Sequence, residues 1–350
     1  MPSLLRQVGL VLAVAQLLLA VWAGRGTRFR GLVAPLVVTG VALLFIVVLP
    51  DAVRELQGFI GLQNEQAGGI ITALLLAMGL GYVLMFYILA KVERQTQRLR
   101  RLIVAMSAAQ VEAAAHETEH PGVMVVIPAY NEAESLPAVL AAIPEEVHGL
   151  PVQVLVVDDA SRDATGRVAV AGRAHVVTHP VNGGGGSALQ TGYLVAQRSG
   201  VSIVVTMDAD GQHDPAEIER LVGPIVRDEA DFVVGSRRLG VYEPEAGAAG
   251  AARNVGLTVY TSLVNLLGGT QMTDVSNGFR AIRASGLAAI VFTEDQFHNP
   301  ELLMGAARSG LRIVEVPITI HRRQAGTSKK GSTVRYGLGF LRVILRSWLR

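Results

Sequence analysis

The sequence predicts an α/β protein: a mostly parallel sheet with helices on both faces, joined to an N-terminal transmembrane helical region. Three observations predict it. From Gly122 onward, short β-branched runs alternate with amphipathic helical stretches, the pattern of a parallel sheet covered by helices. Before that point lie three apolar runs, at about Leu4–Ala23, Gly31–Pro50 and Gly68–Ala90. Each approaches or exceeds the roughly 20 residues that cross a bilayer as a helix. Finally, half of the 350 residues are apolar and 17% are charged, against roughly 25% charged in an ordinary soluble domain. Disorder and a purely soluble enzyme are both disfavoured. Lys and Arg total 31 against 29 Asp and Glu, a net charge of +2, too small a balance for a nucleic-acid partner. Without cysteine, disulfides, zinc–thiolate sites and thiol nucleophiles are excluded.

The elements follow in order. Taken alone, the first apolar run has the look of a signal peptide, but two more runs follow closely and no clear small-residue cleavage site separates them. Residues 1–90 are therefore expected to form three membrane spans. The loop after the first span carries Arg25, Arg28 and Arg30. The next carries Asp51, Glu55 and Glu65 against Arg54, and the third span is followed by Lys91, Arg94, Arg98, Arg100 and Arg101. The positive-inside rule puts everything after Ala90 on the cytoplasmic side of an inner, plasma-type membrane. Residues 91–121 are expected to form a basic, amphipathic helical connector, with Leu102, Ile103 and Met106 among its apolar positions. It is either a solvated linker or a helix lying on anionic headgroups; His116, His120 and Pro121 mark its end.

Residues 122–335 form the expected catalytic domain. Its strands are Val123–Ile127, Val152–Val157, His175–Thr178, Ser202–Met207 and Asp231–Val234, with a later one at Arg312–Ile320. Sheets of this kind bind ligands at the carboxyl ends of their strands, so the residues there matter most. The first strand runs into Pro128-Ala129-Tyr130-Asn131-Glu132, where a plain turn explains Pro128 and Asn131 but does not demand Tyr130. The second ends in Asp158 and Asp159, two adjacent carboxylates able to accept hydrogen bonds from a base and a ribose, or to cap the next helix. The fourth ends in Asp208-Ala209-Asp210-Gly211-Gln212-His213-Asp214-Pro215. Two carboxylates one residue apart suit a hard divalent ion shared with a pyrophosphate. Asp214, Pro215 and Glu217 look like a helix start, and His213 is read as locally satisfied more readily than as a ligand. The run Gly183–Gly186 opens a helix without the Gly-Lys-Ser/Thr of a P-loop; a close-packed turn is preferred over a phosphate cradle. Arg237, Arg238, Arg253, Arg280, Arg323 and Lys329 lie on or near Gly/Ser-rich segments, a chemistry suited to phosphate oxygens.

Taken together in order and spacing, these residues resemble family 2 inverting glycosyltransferases of the GT-A fold, and most closely the dolichol- or polyprenyl-phosphate sugar transferases. The resemblance covers roughly Gly122 to Gly331. Val125–Glu132 resembles the opening strand, Asp158-Asp159-Ala160-Ser161 the second-strand motif, and Asp208-Ala209-Asp210 the metal-binding motif. Gly278-Phe279-Arg280 and Arg323-x-x-Gly326-x-Ser328-Lys329 resemble the late motifs of the polyprenyl branch.

The resemblance implies that Pro128, Tyr130, Glu132 and Asp158 contact the nucleotide, with Asp159 beside them. It implies that Asp208, Asp210 and Gln212 bind Mg²⁺ or Mn²⁺ around Ala209. Arg237 and Arg253 would hold the acceptor phosphate, and Arg323 and Lys329 would neutralise the donor diphosphate. The donor would be a nucleotide-sugar, a UDP-sugar in preference to GDP-mannose, and the acceptor a polyprenyl phosphate in membrane lipid. The N-terminal region resembles small three-span membrane proteins found beside such transferases. Residues 336–350 are expected to form an amphipathic helix, either membrane-associated or docked on the domain. Rival readings are an enzyme of this family with a glycolipid or polysaccharide acceptor, a non-catalytic membrane adaptor, and a nucleotidyltransferase. Processive family members usually carry Gln-x-x-Arg-Trp, and neither Trp22 nor Trp348 sits in that motif. Oligomeric state, including a homo-oligomer, is left open.

Overall fold

The computed structural model describes residues 7, 10–18, 33–48, 55, 65–112, 122–242, 248–290, 292, 298–321, 343–344 and 348. The chain divides into two compact units, Met1–Arg98 and Leu99–Arg350.

In the first unit, residues 10–18 are helical, α1 spans Val33–Val48 and α2 begins at Glu65. Among the described residues no helix is long and apolar enough to cross a membrane, so the three expected spans over 1–90 find no support there. α2 runs unbroken over 48 residues to Glu112, so the third apolar run continues as helix into the expected helical connector.

The second unit begins within α2. Val104, Ser107 and Ala108 are buried, and Ala108 belongs to the core of the unit, so this part of the expected connector packs as protein interior. The sheet follows: β1 (Val123–Ala129), β2 (Glu146–Val147), β3 (Leu150–Asp158), β4 (His175–Thr178), β5 (Ile203–Thr206), β6 (Phe232–Tyr242), β7 (Arg280–Arg283) and β8 (Ile313–Ile320). Between them lie α3 (Leu136–Ala142), α4 (Thr165–Ala171), α5 (Gly185–Arg198), α6 (Ile218–Val226), α7 (Ala248–Gly268), α8 (Ala284–Leu287) and α9 (His298–Arg308). The strand order is β2-β3-β1-β5-β7-β6-β8, with β4 paired to β3. β1 pairs in parallel with both β3 and β5, and β6 with β8. β7 is antiparallel to both neighbours, and the two-residue β2 is antiparallel to β3. Neither β7 nor β2 was expected from the sequence.

Successive side chains of a strand point to opposite faces, and here both faces are covered. In β1, Met124 and Val126 enter one core with Tyr193, Phe232 and Leu302. Val123, Val125 and Ile127 enter the other with Leu136, Leu221 and Phe279. Burial on both sides explains why β1, β3 and β5 are near-continuous apolar runs rather than alternating ones. Of residues 336–350, Val343, Ile344 and Trp348 are described. Val343 and Ile344 are fully buried, and Ile344 lies in the first core.

Candidate active site

In register, Ala129 of β1 faces Asp158 of β3, and Asp158 faces Thr178 of β4. The carboxyl ends of three parallel strands therefore lie level, and the loops leaving them share one edge. Pro128 and Tyr130 are half-buried, as is Glu132. Asn131 (φ 52°) and Ala160 (φ 59°) adopt left-handed backbone conformations without being glycine, a strain of order 1–3 kcal/mol each that gathers at functional sites. Bonds between the two loops fix it. Asn131 N–H donates to Ser161 Oγ (3.0 Å), and Arg162 N–H donates to Asn131 Oδ1 (2.8 Å). Glu132 N–H donates to Thr165 Oγ1 (2.9 Å).

The adjacent aspartates diverge. Asp158 is buried, and its Oδ1 accepts from Ser161 N–H (2.9 Å). Asp159 turns inward. Its Oδ1 accepts from His179 Nδ1 (2.7 Å) and Gly183 N–H (2.8 Å), and its Oδ2 accepts from Gly184 N–H (2.7 Å). The expectation that Asp159 faces a nucleotide therefore meets a carboxylate bonded within the fold, tied to the glycine run.

Asp208, Ala209 and Asp210 follow β5. Asp208 is exposed, while Ala209 and Asp210 are buried. Asp210 Oδ1 accepts from Gln212 N–H (3.1 Å), and Gln212 Nε2 donates to the His321 carbonyl (3.3 Å). His213 fixes this loop. Its Nδ1 accepts from Asp208 N–H (3.2 Å), so its Nε2 carries the proton and donates to Asn277 Oδ1 (3.0 Å). The ring stacks on Phe279, with centroids 4.9 Å apart. His213 is thus locally satisfied, in line with the preferred sequence reading. Two neighbouring carboxylates suit a hard divalent ion. Among the described residues they are not joined by a third His, Cys, Asp or Glu into a metal cage.

Gly278 crosses directly above Asp208: a Cβ placed there would lie 3.1 Å from Asp208 Oδ1. Gly278→Ala is therefore expected to displace that carboxylate and to lower turnover about tenfold or more, with little change in thermal midpoint. Steady-state kinetics across a divalent-ion titration checks this.

Arg237 does not extend into solvent. Its guanidinium grips Asp274 through Nε (2.6 Å) and Nη2 (2.8 Å), and Nη2 also donates to Ser276 Oγ (2.5 Å). Glu315 of β8 holds the same loop by accepting from the N–H groups of Thr273 (2.7 Å) and Asp274 (2.8 Å). Burial alone would raise the Asp274 carboxyl, but the Arg237 guanidinium outweighs it and holds the carboxyl below the ordinary aspartate value of 3.8. A depressed pKa stabilises the fold above the unfolded value, and that contribution is lost as pH falls through the folded one. Thermal midpoints of the parent should therefore drop as pH falls below about 3.8, and Asp274→Asn should flatten this acid limb while lowering the midpoint at pH 7.

Arg253 lies in α7, of which only the backbone is described at that position. Arg323 and Lys329 lie outside the described residues. The structure thus brings the loops of Tyr130 and Asp158 together, and those of Asp208 and Asn277, and leaves Arg253, Arg323 and Lys329 without described side chains. Sequence reasoning missed His179, Glu315 and the pairing of Arg237 with Asp274. The one available signal was a histidine directly after β4 and four residues before the glycine run.

The site lies at the carboxyl ends of the parallel strands of an α/β sheet, the edge at which such sheets bind their ligands. Comparison with known proteins makes this specific. The family model "Glycosyl transferase family 2" matches residues 124–291. The chain is 36% identical over 222 residues to an undecaprenyl-phosphate mannosyltransferase of Micrococcus luteus, covering 59% of this chain and 86% of that protein. It is also 36% identical over 231 residues to a polyprenol monophosphomannose synthase of Mycolicibacterium smegmatis, covering 61% and 82%. Glucosyl-3-phosphoglycerate synthase from Mycobacterium tuberculosis, solved with Mn²⁺, UDP and glucosyl-3-phosphoglycerate, shares the fold. Its TM-score is 0.52 at 22% identity, covering 69% of this chain and 83% of that one. The chain belongs to glycosyl transferase family 2 and is a glycosyltransferase.

Proposed function

We propose that this chain transfers a hexosyl unit from a nucleoside-diphosphate sugar to a polyprenyl phosphate, inverting the anomeric carbon, at the cytoplasmic face of a membrane. The observation that carries the reading is the pair Asp208 and Asp210 on a loop fixed by His213 and Asn277, in a chain whose relatives are named for polyprenyl-phosphate mannosyl transfer. In this reading Pro128, Tyr130, Glu132 and Asp158 line the nucleotide. Asp208 and Asp210, with Gln212 beside them, would hold Mg²⁺ or Mn²⁺, which supplies positive charge opposite a departing diphosphate. Arg237, fixed by Asp274, would offer an oriented cation to the acceptor phosphate together with Arg253, and Arg323 and Lys329 would neutralise the donor diphosphate.

The acceptor phosphate oxygen attacks the anomeric carbon, the bond to the diphosphate breaks, and the nucleoside diphosphate leaves. A phosphate monoester is anionic near pH 7, so no strong general base is required. Both relatives are named for mannose, which sets GDP-mannose beside the UDP-sugars favoured from sequence. A membrane location is supported by exposed apolar side chains on α2, among them Leu80, Leu84, Ile88 and Leu99, close to the basic run Lys91 to Arg101.

The test is transfer by purified chain in detergent with Mg²⁺ or Mn²⁺, polyprenyl phosphate and a panel of radiolabelled UDP- and GDP-sugars. Acid-labile label in the organic phase from one donor is the expected result. Donor binding with no labelled lipid from any donor would move the reading to a glycolipid or polysaccharide acceptor.

A further inference from the structure

The glycine run Gly183–Gly186 has no role in the reaction as described so far, and the structure shows what holds it. It follows β4, at the same edge as Asp158 and Tyr130, and leads directly into α5. Its first two N–H groups, of Gly183 and Gly184, point at the Asp159 carboxylate. Those donors are already used, so this part of the run does not cradle a phosphate. Asn182 Nδ2 adds a bond to the Asp159 carbonyl (3.2 Å).

Two glycines are required for steric reasons. A Cβ on Gly183 would lie 2.9 Å from Ser187 Cβ, and Gly184 has φ 87°. Beneath Asp159 lies His179, 1% exposed. A carboxylate only accepts, so His179 Nδ1 carries a proton toward Asp159 Oδ1. On its far side Nε2 meets Thr191 Oγ1 of α5 at 2.8 Å, a hydroxyl able to complete the bond whichever of the two holds the proton. His179 N–H also donates to the Asp158 carbonyl (2.9 Å). One buried chain of bonds therefore links α5, His179, Asp159 and the glycine turn, with Asp158 joined through the backbone.

We infer that Asp159 and His179 are positioning residues for nucleotide binding: they hold the glycine turn as a wall of the donor pocket. The inference rests on the nucleotide-sugar reading above and extends it to two side chains that face inward. His179 is too deeply buried to touch a nucleotide, so any effect it has on nucleotide affinity must pass through Asp159 and the turn.

Calorimetric titration of UDP and of GDP in Mn²⁺, with thermal midpoints measured alongside, tests this. His179→Leu removes the donor to Asp159 and is expected to weaken nucleotide binding about tenfold. His179→Asn keeps a donor where Nδ1 sits and should recover most of that loss. Asp159→Asn should weaken binding to a similar extent, and the double variant His179→Leu/Asp159→Asn should be no weaker than the worse single one, because both break the same chain. Should His179→Leu fail to fold, the His179→Asn and Asp159→Asn comparison carries the same test. A lowered midpoint with unchanged nucleotide affinity in the folded variants overturns the inference, since the chain of bonds would then be structural only. Additive losses also overturn it, because Asp159 would then touch the nucleotide independently of His179. Parent chain that binds neither nucleotide overturns the donor reading and this inference with it.

Discussion

Asp210→Asn is expected to abolish measurable sugar transfer while leaving the protein folded. Loss of charge stabilisation at a departing group typically costs about a hundred- to a thousandfold in turnover, and here the carboxylate lost is one of a pair. The substitution is nearly isosteric: Asp210 is buried, and the bond its Oδ1 accepts from Gln212 N–H can also be accepted by an amide oxygen. Asp208→Asn should behave in the same way, since Asp208 is exposed and its backbone N–H, not its carboxylate, bonds His213. The paired measurement is turnover against thermal midpoint. Full activity in either variant would remove the metal assignment. Loss of activity accompanied by a large midpoint drop would make the aspartate structural.

Arg280→Leu is expected to have the largest effect on stability. Arg280 is 1% exposed. Its guanidinium donates to three backbone carbonyls: Asn277 (2.6 Å), Asn299 (2.8 Å) and Val275 (2.9 Å). Phe232 lies beneath it, with the ring centroid 5.8 Å away. Burial pushes the Arg280 pKa down to about 10, which leaves it charged at neutral pH. Burial, followed by the Arg280 charge, also pushes the neighbouring His298 down to about 3, so His298 is neutral.

Removing the guanidinium takes away three bonds and strips the inward loop carbonyls of Val275 and Asn277 of their charged donor, at about 1–3 kcal/mol each. A total near 4 kcal/mol corresponds to a midpoint lower by about 10 °C in a chain of this size. The carbonyls of Val275 and Asn277 belong to the loop that places Asp274 and Gly278, so activity should fall even where the variant folds. Arg280→Lys should rescue little, because an ammonium lacks the planar fork that reaches separate acceptors. Midpoints of the three proteins, with turnover measured well below each midpoint, check both parts.

Much of this architecture is legible in residue order. β1, β3 and β5 are visible as β-branched runs because burial on both faces leaves little polar alternation to obscure them. The acidic loops are visible because a strand followed by Asp-x-Asp or Asp-Asp is unusual in local chemistry. β7 is hidden because it is four residues long, begins and ends with arginine, and owes its place to pairing with β5 and β6. Which of two adjacent aspartates turns inward is also hidden. That depends on the left-handed backbone at Ala160 and on a histidine 20 residues later. The pairing that orients Arg237 is hidden because its partner Asp274 is 37 residues away. The N-terminal region shows the opposite limit: an apolar run indicates what surrounds a helix but does not mark where the helix ends, and α2 continues through Ala90.

The most direct test of the central claim is mass analysis of both products from one reaction of this chain with GDP-mannose or a UDP-hexose, Mn²⁺ and a polyprenyl phosphate. The account predicts a lipid heavier by one hexosyl unit, still carrying a single phosphate, together with an equal amount of free nucleoside diphosphate. Pyrophosphate release, a lipid that gains the nucleotide, or nucleoside diphosphate formed with the sugar left in water would contradict it.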